Sequence, residues 1–166
     1  MAEPVALRPC PACWQASVPA ALAATAPRLL AEALGAPPPA PGATLSTPEG
    51  LLWRAAPRAW RLLGEGHGAP APAALALPGA ALTDLGPGLS ILSLRGPLAG
   101  DLAARAVPLD LRAAAFPPGA VAATVHRHAG VTLFRREGGF DLLVPRSLGA
   151  DFAARLERIA GMLAAG

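Results

Sequence analysis

Two cysteines, Cys10 and Cys13, have the spacing of a redox-active pair or of half a zinc site. A redox pair of this kind follows a strand and opens a helix, whose N-terminus lowers the pKa of the thiol. Here Pro9 and Pro11 flank the first cysteine, and no strand–helix–strand pattern surrounds the pair. A zinc site needs four ligands, and the sequence has no second C-x-x-C motif. We therefore predict two reduced thiols in a flexible segment.

His126 and His128 form the second candidate metal site. Side chains two residues apart on a strand share a face, so both imidazoles would lie on the face of Thr124. A third ligand is not evident, because only His67 and the two cysteines could supply one. We therefore predict that these histidines mark a solvent-facing strand end.

Nucleophilic and phosphate-binding chemistry lack a sequence signature. No serine lies in a Gly-x-Ser-x-Gly elbow, and Ser147 is predicted to cap the last helix with its side-chain oxygen. The glycine-rich run Gly64–Gly68 has neither the lysine of a phosphate-binding loop nor the spacing of a dinucleotide-binding turn. The acidic residues are dispersed, so the sequence predicts no carboxylate pair for acid–base catalysis. No self-sufficient active site is predicted.

The charge balance argues against nucleic acid as a partner. The net charge is +3, and the 14 basic residues are all arginines scattered along the chain. The high pI of about 10.1 follows from this small excess in a chain without Lys or Tyr. Binding to nucleic acid needs positive charge concentrated in one stripe, which the sequence does not show.

Membrane insertion and export are not predicted either. The longest uncharged stretch, Pro9–Pro27, contains four prolines and cannot form an uninterrupted apolar helix. Glu3 and the prolines also depart from the pattern of a secretion signal. We therefore expect a cytoplasmic protein.

The first half of the chain has few regular elements to position these residues. Residues 1–48 are predicted to form a loop-rich, proline-rich segment, and residues 64–79 a low-complexity loop of Ala, Pro and Gly. The predicted elements are the helix Pro27–Leu34 and a hairpin of strands Leu51–Ala55 and Ala59–Leu63.

From residue 81 onward the pattern is more regular. The predicted elements are strands Ala81–Leu85 and Leu89–Arg95, a helix from Gly96 to Ala106, strands Ala120–Arg127, Val131–Arg136 and Phe140–Val144, and an amphipathic helix carrying Leu148, Phe152, Leu156, Ile159 and Leu163. Short connections between the last three strands favour an antiparallel meander. The order predicts an α+β fold, an antiparallel sheet with helices packed on one face, in a single domain spanning residues 1–166.

Four segments of the second half resemble the gamma subunit family of heterotetrameric sarcosine oxidase in order and spacing. They are Leu89–Pro97, Val107–Leu111, Phe116–Gly119 and Phe140–Ser147. Upstream, Leu34 and Gly35 with their proline-rich connector, and the pair Trp53 and Trp60, are similar to the same family. The glycine and the acidic residues of the family's turn are replaced here by alanine and arginine.

The resemblance implies a fold similar to the folate-binding domain of glycine-cleavage aminomethyltransferase. The family's assembled enzyme oxidatively demethylates sarcosine to glycine and passes the one-carbon unit to tetrahydrofolate or releases formaldehyde. Its FAD, FMN, NAD and zinc belong to the other subunits, so the resemblance implies no cofactor in this chain. It implies a non-catalytic partner of the alpha, beta and delta subunits, chiefly of the large alpha subunit.

Four residues are candidates for contact with such a partner: Arg95, Arg112, Phe116 and Arg146. The arginines lie near predicted turns and element ends, where a planar guanidinium can bind carboxylates or carbonyl groups. Arg95 and Arg146 could instead end strands in solvent. Phe116 lies on a rigid proline-containing loop and could serve either as an interface anchor or as part of the core.

Two other functions stay open. A free-standing folate-binding or aminomethyl-transferring domain would need a carboxylate for the pterin, and Asp84, Asp110 and Asp141 are the nearby options. For Asp110 we favour a turn-capping role. The other alternative is a subunit of a related N-methylglutamate dehydrogenase, because the choice of substrate would reside in other chains.

Overall fold

A computed structural model describes residues 4–64, 66 and 69–165 of the chain. In chain order its strands and α-helices are β1 (Val5–Pro9), β2 (Ala12–Ser17), α1 (Ala26–Leu34), β3 (Thr44–Thr47), β4 (Gly50–Ala56), β5 (Ala59–Gly64), β6 (Ala81–Asp84), β7 (Leu89–Arg95), α2 (Ala99–Ala106), β8 (Val121–His126), β9 (Ala129–Arg136), β10 (Gly139–Pro145) and α3 (Arg146–Ala164). Glu65, His67 and Gly68, which belong to the predicted low-complexity loop, lie outside the described residues.

The chain forms two compact units, which we call the split unit (residues 1–10 and 88–166) and the continuous unit (residues 11–87). Each unit contains a five-stranded antiparallel sheet. The predicted α+β class is therefore confirmed, with two sheets in place of one. The reason is that β6 pairs with β2, whereas β7, the next strand along the chain, pairs with β1 and β10.

The sheet of the split unit has the strand order β1-β7-β10-β9-β8, which confirms the predicted meander of the last three strands. Leu142 in β10 lies opposite Leu92 in β7 and Leu133 in β9, and all three are buried. Leu102 of α2 and Leu156 of α3 belong to the same apolar cluster. Both helices therefore pack on one face of this sheet, as the sequence predicted, and bury their apolar stripes there.

The amphipathic C-terminal helix is confirmed, but its predicted cap is wrong. The helix begins at Arg146, and the residue before it, Pro145, makes no side-chain capping hydrogen bond. Ser147 therefore lies inside the first turn instead of at the capping position. Pro145, with its fixed backbone angle, takes the capping position and starts the helix two residues earlier than a cap at the serine would.

The sheet of the continuous unit has the strand order β3-β4-β5-β2-β6, and the predicted β4–β5 hairpin is confirmed. Its apolar cluster includes Leu52 and Trp60 from the hairpin and Leu30 from α1. Gly35 ends α1 with a positive φ of 65°, which favours glycine. Leu75, from the predicted low-complexity loop, is fully buried in the same cluster.

In the segment predicted to be loop-rich, residues 1–48, the helix expected at Pro27–Leu34 is confirmed as α1, but the strands β1, β2 and β3 were not predicted. The strands were not predicted because prolines lie in or beside them. Pro9 is the last residue of β1, which pairs only with β7 at the edge of its sheet. An edge strand accepts proline because one of its sides makes no ladder hydrogen bonds. β2 starts after Pro11 and pairs with both β5 and β6.

Candidate functional site

Arg95, the first interface candidate, ends β7 and is held within its own unit. Its Nη1 donates to the carbonyl oxygens of Leu94 at 3.0 Å and of Phe140 at 2.6 Å. Its Nη2 lies 2.6 Å from Oδ1 of Asp141. The side chain is about one-third exposed, at 36%. The main role of the guanidinium is therefore to join the end of β7 to the start of β10.

Asp141 is the centre of this arrangement. Its side chain accepts a hydrogen bond from Ser93 Oγ at 2.8 Å. It also forms a second ion pair, with Arg136 Nε at 2.9 Å. The residue is 3% exposed. Burial acts to raise the pKa of this carboxyl, but the hydrogen bonds from Ser93, Arg136 and Arg95 outweigh it and lower the pKa below its usual value. Asp141 is therefore a buried, ionised carboxylate with matched donors.

A glycine lets the strands approach closely at this point. Gly139 lies opposite Arg95 in β7 and opposite Arg136 in β9. A Cβ at this position would lie 2.1 Å from the Leu94 carbonyl oxygen. Glycine is required here because a Cβ would overlap the backbone of β7.

Arg112, the second interface candidate, lies on an exposed turn. Its backbone N–H donates to Oδ1 of Asp110 at 3.1 Å, and its Nε donates to the same oxygen at 2.9 Å. Hydrogen bonds from the Arg112 side chain and backbone lower the pKa of the Asp110 carboxyl to about 2. Nearby, Arg135 Nη1 donates to the Leu111 carbonyl oxygen at 3.2 Å and fixes the loop to β9. The predicted turn-capping role of Asp110 is confirmed.

The other two interface candidates differ in exposure. Phe116 is only 7% exposed and belongs to the apolar cluster that contains Leu102 and Leu156. Its ring thus packs inside the split unit, which favours the core role over the interface role for this residue. Arg146 is the first residue of α3 and is exposed.

The histidines do not form the predicted solvent-facing pair. β8 ends at His126, and Arg127 then takes a positive φ of 57°, so His128 leaves the strand and is exposed. His126 is 2% exposed, and its ring packs edge-on against Phe152 at 4.2 Å between centroids. Its Nδ1 donates to the Ala106 carbonyl oxygen at 2.6 Å, at the end of α2. His126 therefore satisfies a helix-terminal carbonyl that has no partner within the helix.

The two cysteines are also more ordered than predicted. Cys10 is 5% exposed and its backbone N–H donates to the Leu89 carbonyl oxygen, while Cys13 is fully buried in β2. The prediction of a flexible segment is wrong, because both residues belong to or adjoin paired strands. Burial in this setting is what structural cysteines show.

The three carboxylates considered for a pterin all have local donors. Asp84 accepts the Gly86 backbone N–H at 2.9 Å, Asp110 pairs with Arg112, and Asp141 binds the two arginines and Ser93. Each carboxylate therefore has a role in the fold of its own unit.

The described residues contain neither a cluster suited to a metal ion nor a helix suited to spanning a membrane. Over residues 4–64, 66 and 69–165, no three His, Cys, Asp or Glu side chains lie close enough to hold a metal ion. Within the same ranges, no helix combines the length and the hydropathy that crossing a membrane requires.

Arg95 and Asp141 were each singled out from the sequence, but their pairing was not predicted. The two lie 46 residues apart, and only the β7–β10 register brings them together. One signal was available, because Asp141 is a lone charge in the apolar run Phe140–Val144. A charge in such a strand is expected to be buried with a partner.

Comparison with known proteins supports the fold. No family model matches the sequence, and no curated protein matches it. Among solved structures, the chain is similar to a chain of the heterotetrameric sarcosine oxidase from Corynebacterium sp. U-96, in complex with pyrrole 2-carboxylate. The TM-score is 0.70 at 24% sequence identity, over 92% of this chain and 81% of that chain. The chain therefore has the α+β fold of a chain in that enzyme.

Proposed function

We propose that this chain is the gamma subunit of a heterotetrameric sarcosine-oxidase-type flavoenzyme, with a structural role. One observation carries the proposal: the similarity to a chain of such an enzyme covers most of both chains. The match extends over 81% of the neighbour's chain, so it is not confined to one domain of a much larger chain. The sequence resemblance over Leu89–Ser147 independently supports the gamma subunit.

In this proposal the assembled enzyme, in the cytoplasm, oxidatively demethylates sarcosine to glycine and passes the one-carbon unit to tetrahydrofolate or releases formaldehyde. The alpha, beta and delta subunits hold FAD, FMN, NAD and zinc, and the alpha subunit is the chief contact of this chain. Arg112 and Arg146 are the exposed interface candidates. Arg95 mainly ties β7 to β10 and has about one-third of its side chain left for a partner.

The test compares the chain alone with the chain expressed beside the alpha, beta and delta subunits of its own organism. We expect the isolated chain to be colourless and without activity on sarcosine. With its partners it should co-elute in a complex that shows flavin absorbance and sarcosine-dependent peroxide formation. Flavin absorbance or turnover by the isolated chain would overturn the structural role, and failure to co-elute would overturn the assembly.

A titration with tetrahydrofolate separates this proposal from a free-standing folate-binding domain. We expect no saturable binding to the isolated chain, because the carboxylates that could hold a pterin already have local donors. Micromolar binding to the chain alone would favour the folate-binding function. Assays of the complex with sarcosine and with N-methylglutamate distinguish the two related enzymes.

A further inference from the structure

An apolar groove of about 650 Å³ opens on the split unit. It lies where the start of β1, the turn between β7 and α2, and the last turns of α3 come together. Its apolar lining includes Pro4, Val5 and Leu98, and Arg95 and Glu157 are its charged residues. A volume of this size falls within the range of about 300–1,000 Å³ typical of binding pockets.

The two charged residues of the groove differ in what they can offer. Arg95 already donates to Leu94, Phe140 and Asp141 through both terminal nitrogens. Glu157 is exposed, and within the described part of the chain no cation or hydrogen-bond donor is paired with its carboxylate. The groove therefore presents one exposed carboxylate without a cation among the described residues beside an apolar wall, while its arginine is already tied to Asp141.

This combination argues against a small carboxylate or amino acid as the occupant. Such a ligand needs several donors for its carboxylate, and Arg95 already directs three of its five N–H groups to Leu94, Phe140 and Asp141. An apolar wall with one open carboxylate complements an apolar polypeptide segment that carries a cation. We propose that the groove docks an apolar segment of a partner subunit, whose lysine or arginine pairs with Glu157. This inference rests on the proposed function.

The wall formed by α3 leaves room for such a segment. Ala160, Gly161 and Ala164 line this side with small side chains. A Cβ added at Gly161 would meet no atom within 4 Å, so a side chain can start there from the groove wall without overlapping the surrounding atoms at its Cβ. Gly161→Trp therefore blocks the groove, and Glu157→Arg reverses its charge.

Each variant has a control on the same helix. Asp151→Arg reverses an exposed acid outside the groove, and Met162→Trp places the same ring at a position that is 67% exposed and does not line it. The full-length variants are titrated against the purified complex of alpha, beta and delta subunits from the same organism. Thermal melts of the free chains confirm that each variant is folded.

We expect Glu157→Arg and Gly161→Trp each to weaken assembly by about tenfold or more, because like-charge contact and blocked packing oppose docking. Both controls should assemble as the wild type does. Unchanged assembly of either groove variant would refute the inference while leaving the proposed function standing. If the wild-type chain itself fails to assemble, both fall. The free chain could also self-associate, with Gly161→Trp abolishing this self-association and leaving assembly with the other subunits unchanged. That result would identify a second copy of the chain as the occupant and would also refute the inference.

Discussion

Replacing Asp141 by asparagine should lower the stability of the protein strongly, because it removes one buried charge. Asp141→Asn keeps the shape of the side chain but removes the negative charge that faces Arg95 and Arg136. It also sets an amide N–H₂ against N–H donors. Removing one partner from a buried ion pair costs about 3–5 kcal/mol. The two guanidiniums are 36% and 30% exposed, so water compensates part of the loss, and we expect about 2–3 kcal/mol.

The stability loss caused by Asp141→Asn should depend on pH in a definite direction. The folded-state pKa of Asp141 lies below its ordinary value of 3.8. A carboxyl with a lowered pKa contributes stability that is present above the unfolded value and is lost as the pH falls through the folded one. The difference between wild type and Asp141→Asn should therefore be constant from neutral pH down to the region of 4, and should shrink at lower pH.

Urea unfolding followed by far-ultraviolet circular dichroism measures this difference across the pH range. Asp110→Asn is the matched control, since Asp110 also pairs with an arginine and has a pKa lowered to about 2, but lies on an exposed turn. We expect little change in stability from the control. A loss in Asp141→Asn as small as that in the control, or a loss independent of pH, would refute the reasoning about the buried carboxylate.

Three further substitutions test the packing of the split unit by the same urea measurement. Phe116→Ala should cost about 3–5 kcal/mol, because it leaves a cavity in the apolar cluster. His126→Ala should cost about 2–3 kcal/mol, because it removes a buried ring and the hydrogen bond to Ala106. Gly139→Ala should cost about 3 kcal/mol or more and speed amide exchange in β7 and β10, because the new Cβ overlaps the Leu94 carbonyl oxygen.

Each of these has a contrasting position. Stability unaffected by Phe116→Ala would restore the phenylalanine as an interface anchor. His128→Ala removes an exposed imidazole and should leave stability unchanged; an equal loss from both histidines would contradict the buried role of His126. Gly100→Ala, in α2, meets no atom within 4 Å and should add about 0.5–1 kcal/mol. A similar gain from Gly139→Ala would show that β7 and β10 do not approach closely there.

The second half of the chain was predictable because its apolar residues recur with the periods of its elements. Short turns pair β8, β9 and β10, and the spacing of Leu148, Phe152 and Leu156 defines α3. In the first half, α1 and the β4–β5 hairpin were predicted, but β1 and β2 were not, because they are short and stand beside prolines. Local sequence does not show that a proline lies at a sheet edge, where it is tolerated.

The side chains at the candidate site depend on contacts that local sequence cannot reveal. Arg95 was identified from its place at a strand end, but its carboxylate partner Asp141 comes from another strand. The burial of His126 depends on α2 and on Phe152 of α3, far from it in sequence. Whether Phe116 is buried or exposed could not be predicted for the same reason, because its burial depends on residues distant in sequence.

Native mass spectrometry of the co-expressed subunits tests the central claim most directly. The account predicts a flavin-containing assembly of four different chains in which the 16.6 kDa chain occurs in fixed proportion to the other three. A stable flavoenzyme composed of the other three chains alone, with this polypeptide found only in free form, would contradict it.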